Sequence, residues 1–130
     1  MARAHFTNAD PAGDHIPGAV ETVVSAGATI DSIHNVFGSL RLRYFGPRPL
    51  IEDNSVRSQA TRLVNLEAGY KVTKSARIAL DVFNLFDAKD SDIDYFYTSR
   101  LPGEPLDGIN DRHFHATLPR TARLSLILGF

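Results

Sequence analysis

The segment 119–130, PRTARLSLILGF, decides how this chain is read. Ala122, Leu124, Leu126, Leu128 and Phe130 hold one parity; Thr121, Arg123, Ser125, Ile127 and Gly129 hold the other. A period of two is the side-chain repeat of a β-strand, so the two sets lie on opposite faces. One face is greasy and ends in an aromatic, and the other mixes charge with small residues. The question is which medium the greasy face meets.

Working back from that strand, the same alternation recurs. Val36, Leu40, Leu42 and Tyr44 oppose Ser39, Arg41 and Arg43. Val64, Leu66, Ala68 and Tyr70 oppose Asn65, Glu67, Gly69 and Lys71, and Ala76, Ile78, Leu80 and Val82 oppose Arg77, Ala79 and Asp81. Val24, Ala26 and Ala28 oppose Ser25 and Gly27; Ala4 and Phe6 oppose Arg3 and His5. Arg62 is the exception, sharing the parity of Val64 near a strand start. Six strands are expected, over 1–7, 19–30, 35–46, 60–72, 75–86 and 120–130, with a short strand or hairpin accommodated within 91–99 and 111–117. The connections 8–18, 47–59 and 87–119 are long and rich in Pro, Gly, Asp and Asn, whereas DSIH (31–34) and TK (73–74) are short. Short links join only antiparallel neighbours, so the expected fold is an all-β, antiparallel up-and-down meander.

Composition narrows the function classes. The chain has 130 residues and a net charge of -1, which gives no field to attract nucleic acid. It lacks cysteine, which removes disulfides and thiolate metal sites. No apolar run is long enough for a transmembrane helix, and the opening MARAHFTNAD has no signal-peptide core. A catalytic reading finds no footing: G-x-S-x-G and phosphate-cradling glycine motifs are absent, no nucleophile has a spaced base, and no cofactor is expected.

Three features assign the apolar face to lipid instead of a soluble core. The polar face interleaves charge with Ser25, Gly27, Ser39, Gly69, Ala79 and Ser125, as a crowded lumen wall would. Strands of about eleven residues, tilted near 45°, rise roughly 25 Å, the height of an outer-membrane apolar band. Tyr70 and Phe130 fall near short turns and Tyr44 near a long loop, as paired aromatic girdles do. The alternative is a soluble β-sandwich or small barrel acting as a binding module, since such sheets also bury one face.

Within 87–119, Asp90, Asp92 and Asp94 alternate and would share a strand face; three carboxylates suit a hard cation, though the EF-hand glycine and distal Glu are missing. His113 and His115 flank Phe114 and offer two imidazoles without a third ligand. These five are the metal candidates. Tyr95, Tyr97 and Arg100 are the ligand-binding candidates, because aromatics and Arg anchor most interfaces. A solvated edge and local packing are the competing readings.

Three stretches carry a family resemblance: LVNLEAGYKVTKSARIALDVFNLFD (63–87), FGSLRLRYFGPRPL (37–50) and PRTARLSLILGF (119–130). Together they resemble the C-terminal barrel segment of a TonB-dependent outer-membrane receptor. The resemblance implies a part of a large transmembrane β-barrel of about 22 strands. It also implies uptake of a scarce ligand such as a siderophore, metal chelate or nutrient oligomer. The implied partners are outer-membrane lipid, the rest of the receptor barrel and plug, the TonB complex and the barrel assembly machinery, which would read Leu124, Leu126, Leu128 and Phe130. The implied location is the outer membrane of a Gram-negative bacterium. Residues 1–130 read as one such segment, without plug, TonB box or signal peptide, 87–119 forming an extracellular-type loop. On this reading the segment does not transport alone.

Overall fold

The computed structural model describes residues 4–7 and 12–129. Its elements are all strands: β1 (Val23–Ile33), β2 (Val36–Phe45), β3 (Thr61–Lys71), β4 (Ala76–Phe83), β5 (Ser91–Ser99), β6 (Ile109–Ala116) and β7 (Thr121–Leu128). They form an open five-stranded sheet, ordered β1-β2-β3-β4-β7, and a separate two-stranded ribbon, β5-β6. No helix among the described residues is long and apolar enough to cross a membrane. The chain divides into two compact units, and the body of the sheet lies in one of them with residues 24–44, 62–89 and 118–130.

In that sheet unit, register keeps the even-numbered residues together. Leu66 faces Val82, Ala68 faces Leu80 and Tyr70 faces Ile78 across β3–β4. Ile78 then faces Leu126, and Leu80 faces Leu124, across β4–β7. The result is one apolar face running from strand to strand; Val64, Leu66 and Val82 are half-buried, and much of the rest is exposed. Leu40 is 46 % exposed, Leu80 40 %, Leu126 66 % and Leu124 73 %. A soluble one-layer sheet would cover these side chains with a second layer.

The odd-numbered face carries the contacts. Asp81 accepts from Nε and Nη2 of Arg123 at 3.1 and 2.9 Å, and the guanidinium sits 5.5 Å from the Phe83 ring centre. Ser39 donates to Glu67 at 3.3 Å. Ala79, on this face, is only 4 % exposed. The Phe37 ring packs against Gly69 closely enough that a Cβ there would meet its tip, so a larger residue would have to displace the ring.

The strand ends are fixed by residues that tolerate unusual backbone. His34 and Asn35, at φ 50° and 66°, close the β1–β2 turn. After β4, Asn84 takes φ 49° and is buried. Its Nδ2 donates to the carbonyls of Ala88 and Leu118 at 3.1 and 2.9 Å, and its Oδ1 accepts from Ala88 N at 2.9 Å. The Asn of VFNLFD is therefore a clamp that stops β4 and holds the chain entering β7.

The other unit gathers the described residues up to Val23 with Phe45–Thr61 and Asp90–Thr117. Its buried residues are mostly polar: Arg48, Ser58, Thr61, Ser91 and Asp94 are buried alongside Pro49 and Leu50. Arg48 and Ser58 exchange bonds, Arg48 N to Ser58 Oγ at 3.0 Å and Ser58 N to Arg48 O at 2.9 Å, which closes the 47–59 excursion into a tight loop.

Some expectations need correction. Described residues 4–7 hold no strand; His5 makes an isolated bridge to His15. The first sheet strand begins later than residue 19, at Val23, and runs through the supposed DSIH turn to Ile33, because the left-handed pair that reverses the chain is His34–Asn35. The hairpin accommodated within 91–99 and 111–117 is present as the β5–β6 ribbon, so among the described residues the strands number seven, in two sheets, where six were expected.

Candidate functional site

The sequence of β5, SDIDYFYTS, pairs antiparallel with β6: Tyr95 opposite His113, Tyr97 opposite Asp111, Asp94 opposite Phe114. A register irregularity between Ser91 and Ile93 breaks the simple alternation. Beyond it Tyr95 and Tyr97 point to one face, half-exposed, while Asp94 points to the other and its carboxylate is buried.

Asp94 is the electrostatic centre of this unit. Its Oδ2 accepts from Ser91 Oγ at 2.7 Å and lies 3.7 Å from Arg48 Nη2. Its Oδ1 lies 3.9 Å from Arg112 Nε and has no hydrogen-bond partner. Arg48 Nη2 also donates to the Asp92 carbonyl at 3.2 Å. Two guanidiniums thus balance one buried carboxylate, which is how a charge survives away from water.

A cleft of about 450 Å³ opens beside this group, lined by Pro17, Gly18, Arg48, Leu50 and the run Asp92–Tyr97. The His113 ring stacks on Tyr97 with centres 3.9 Å apart and planes 15° from parallel, and its Nε2 is buried without a partner. Aromatic faces beside a buried ion pair suit a ligand with both an apolar planar part and a polar group.

Tyr95 and Tyr97 line this cleft; Arg100 does not. Arg100 Nε donates to the Glu104 carbonyl at 3.2 Å and Leu101 N to Glu104 Oε2 at 2.6 Å, which shapes the ribbon's turn. Among the described residues Asp90, Asp92, Asp94, His113 and His115 form no common ligand set. Asp90 precedes the ribbon and clasps its base, its carbonyl accepting from Thr117 N and Oγ1, both at 3.0 Å. Asp92 sits at the irregularity, and His115 is exposed opposite Ile93. Leu124, Leu126 and Leu128 line the exposed face of β7, and Phe130 lies outside the described residues.

Sequence reading overlooked Arg48 as a cleft residue. Its signal is the sequence Pro47-Arg48-Pro49, where two rigid residues hold one cation in place. Two surface carboxylates are also held below their ordinary range. Asp53 accepts from Ser55 N at 2.9 Å, and that backbone donor is the main cause of its lowered pKa. Asp87 is lowered chiefly by the backbone N–H of Arg120 at 3.0 Å, then by the Lys89 ammonium at 2.9 Å.

Comparison with family profiles, with curated proteins and with solved structures finds no match to this chain.

Proposed function

We propose that this chain is barrel wall from a TonB-dependent outer-membrane receptor, and that its parent takes up a siderophore, metal chelate or nutrient oligomer. The observation that carries the reading is the inverted sheet. Its even-numbered leucines are 40–73 % exposed at Leu80, Leu40, Leu126 and Leu124, while ion pairs and a buried alanine occupy the odd face. In lipid, the apolar face meets acyl chains and the polar face meets an aqueous lumen. Strands β1, β2 and β3, of 10 to 11 residues, have the length for that crossing, and β4 and β7, of 8, fall just short of it. The sheet edges at β1 and β7 would need further strands, because unpaired backbone in hydrocarbon is costly. The cleft beside Tyr95, Tyr97 and Arg48 is the ligand-side contribution.

The chain contains no cysteine, so single-cysteine variants report on faces cleanly. Leu126→Cys should be shielded from a water-borne maleimide in lipid nanodiscs and quenched by brominated lipid tails. Ser125→Cys should show the reverse. A chain that folds cooperatively as a monomer in plain buffer overturns the proposal in favour of a soluble binding module.

A further inference from the structure

We infer that His5, Asp14 and His15 form a binding site for a divalent first-row transition ion of the zinc type. One ligand atom from each side chain lies within 4.8 Å of the other two. The Asp14 carboxylate stands between two imidazoles, its Oδ1 2.9 Å from His15 Nδ1 and its Oδ2 3.4 Å from His5 Nδ1. The two rings meet edge to face with centres 4.9 Å apart.

The backbone builds this arrangement. His5 and His15 are antiparallel bridge partners, and Phe6 N donates to the Asp14 carbonyl at 2.7 Å, so residues far apart in the reversal are cross-chain neighbours. His15 N donates to the Glu52 carbonyl at 3.1 Å, which ties the same arm to the 47–59 loop. Gly13, at φ 124°, packs so closely on Glu52 that a Cβ would collide with its backbone. The arm is thus seated against a fixed loop next to the ligands.

Ligand chemistry sets the ion class. Two imidazoles and one carboxylate suit zinc or ferrous-type ions and disfavour calcium and magnesium, which prefer all-oxygen shells. An ion about 2.1 Å from each ligand needs donor atoms roughly 3.4 Å apart, so loading must part the His15–Asp14 pair from 2.9 Å and draw in any pair near the 4.8 Å limit. The side chains are free to move: His5 and Asp14 are 39 % and 57 % exposed, and His15, at 23 %, is the fixed member. Three protein ligands leave a coordination position for water or an external donor. The inference stands apart from the membrane reading, because it needs only this local arrangement.

The test is Zn(II) titration of the full chain by calorimetry, in whichever medium, detergent or plain buffer, the chain folds. The expected result is one equivalent bound. His15→Gln and Asp14→Asn should each weaken it by roughly tenfold or more, and His115→Gln, at an exposed histidine outside the cluster, should leave it unchanged. Histidine modification of the unaltered chain supplies a readout independent of variant folding: Zn(II) should protect His5 and His15 from diethyl pyrocarbonate and leave His115 reactive. Absence of binding, or protection that spares His5 and His15, overturns the inference.

Discussion

The five-stranded sheet and the β5–β6 unit bury opposite kinds of atoms. The sheet leaves its leucines in the open and buries Ala79 between Gly69 and Ser125 on the other face. The other unit buries Arg48, Asp94, Ser58, Ser91 and Thr61 with little more than Pro49 and Leu50 as apolar filling. The sheet therefore owes little of its stability to an internal apolar core and depends on what wets its even face. The other unit depends on satisfied polar groups, where one missing partner is expensive.

The sharpest way to break this contrast is Asp94→Ala. It leaves the Arg48 guanidinium, whose side chain is 11 % exposed, without its carboxylate. Loss of one partner of a buried pair should cost about 3–5 kcal/mol, read as a lowered denaturation midpoint. An effect under about 1 kcal/mol would mean that the pair is solvated like a surface ion pair. Next comes the sheet. Leu124→Arg in a bilayer should cost about 2–4 kcal/mol near mid-membrane, although Leu124 is 73 % exposed in the isolated chain. Ile127→Lys, on the opposite face of the same strand, should cost far less. If both fall within about 0.5 kcal/mol, as surface substitutions do, the even face meets water.

A smaller effect tests the join between strands. Asn84→Ala removes three side-chain hydrogen bonds and puts alanine at φ 49°. A loss of about 2–3 kcal/mol is expected from the bonds and the left-handed backbone together. Hydrogen exchange should rise first at Ala88 N and in the chain entering β7. The smallest effect is a pH dependence at Asp87. Its carboxyl titrates below the ordinary 3.8 because Arg120 N–H and Lys89 stabilise the anion. A depressed native value stabilises the fold above the unfolded pKa, and that contribution is lost as pH falls through the lower folded value. Asp87→Asn should lower stability slightly at neutral pH, where the contribution is fully present, and flatten the acid limb below pH 3.8, so that the two chains converge as pH falls.

Much of the sheet was legible because its signal is local. The alternation in 63–72 and 75–82 specifies strands and faces whatever they pair with, and observed register keeps Leu66, Leu80 and Leu124 on one side. The turn after β1 was misplaced because propensity favours a reversal at DSIH, whereas the left-handed pair is His34–Asn35. The alternation of Asp90, Asp92 and Asp94 suggested one acidic face; the irregularity between Ser91 and Ile93 changes the phase, and Asp94 turns to the arginines. Tyr95 and Tyr97 were legible as exposed aromatics on a loop-borne strand, but the cleft they line needed Arg48 from a distant stretch.

By itself, the sequence determined that the chain is built of strands and which side chains share each face, because a period of two is a property of the extended backbone alone. Tertiary structure decided which strangers meet: Arg48 with Asp94, Asn84 with Leu118, His5 with His15. Those meetings depend on where left-handed residues reverse the chain and on one register irregularity. Such choices are settled by non-local pairing energies that no short window of residues contains.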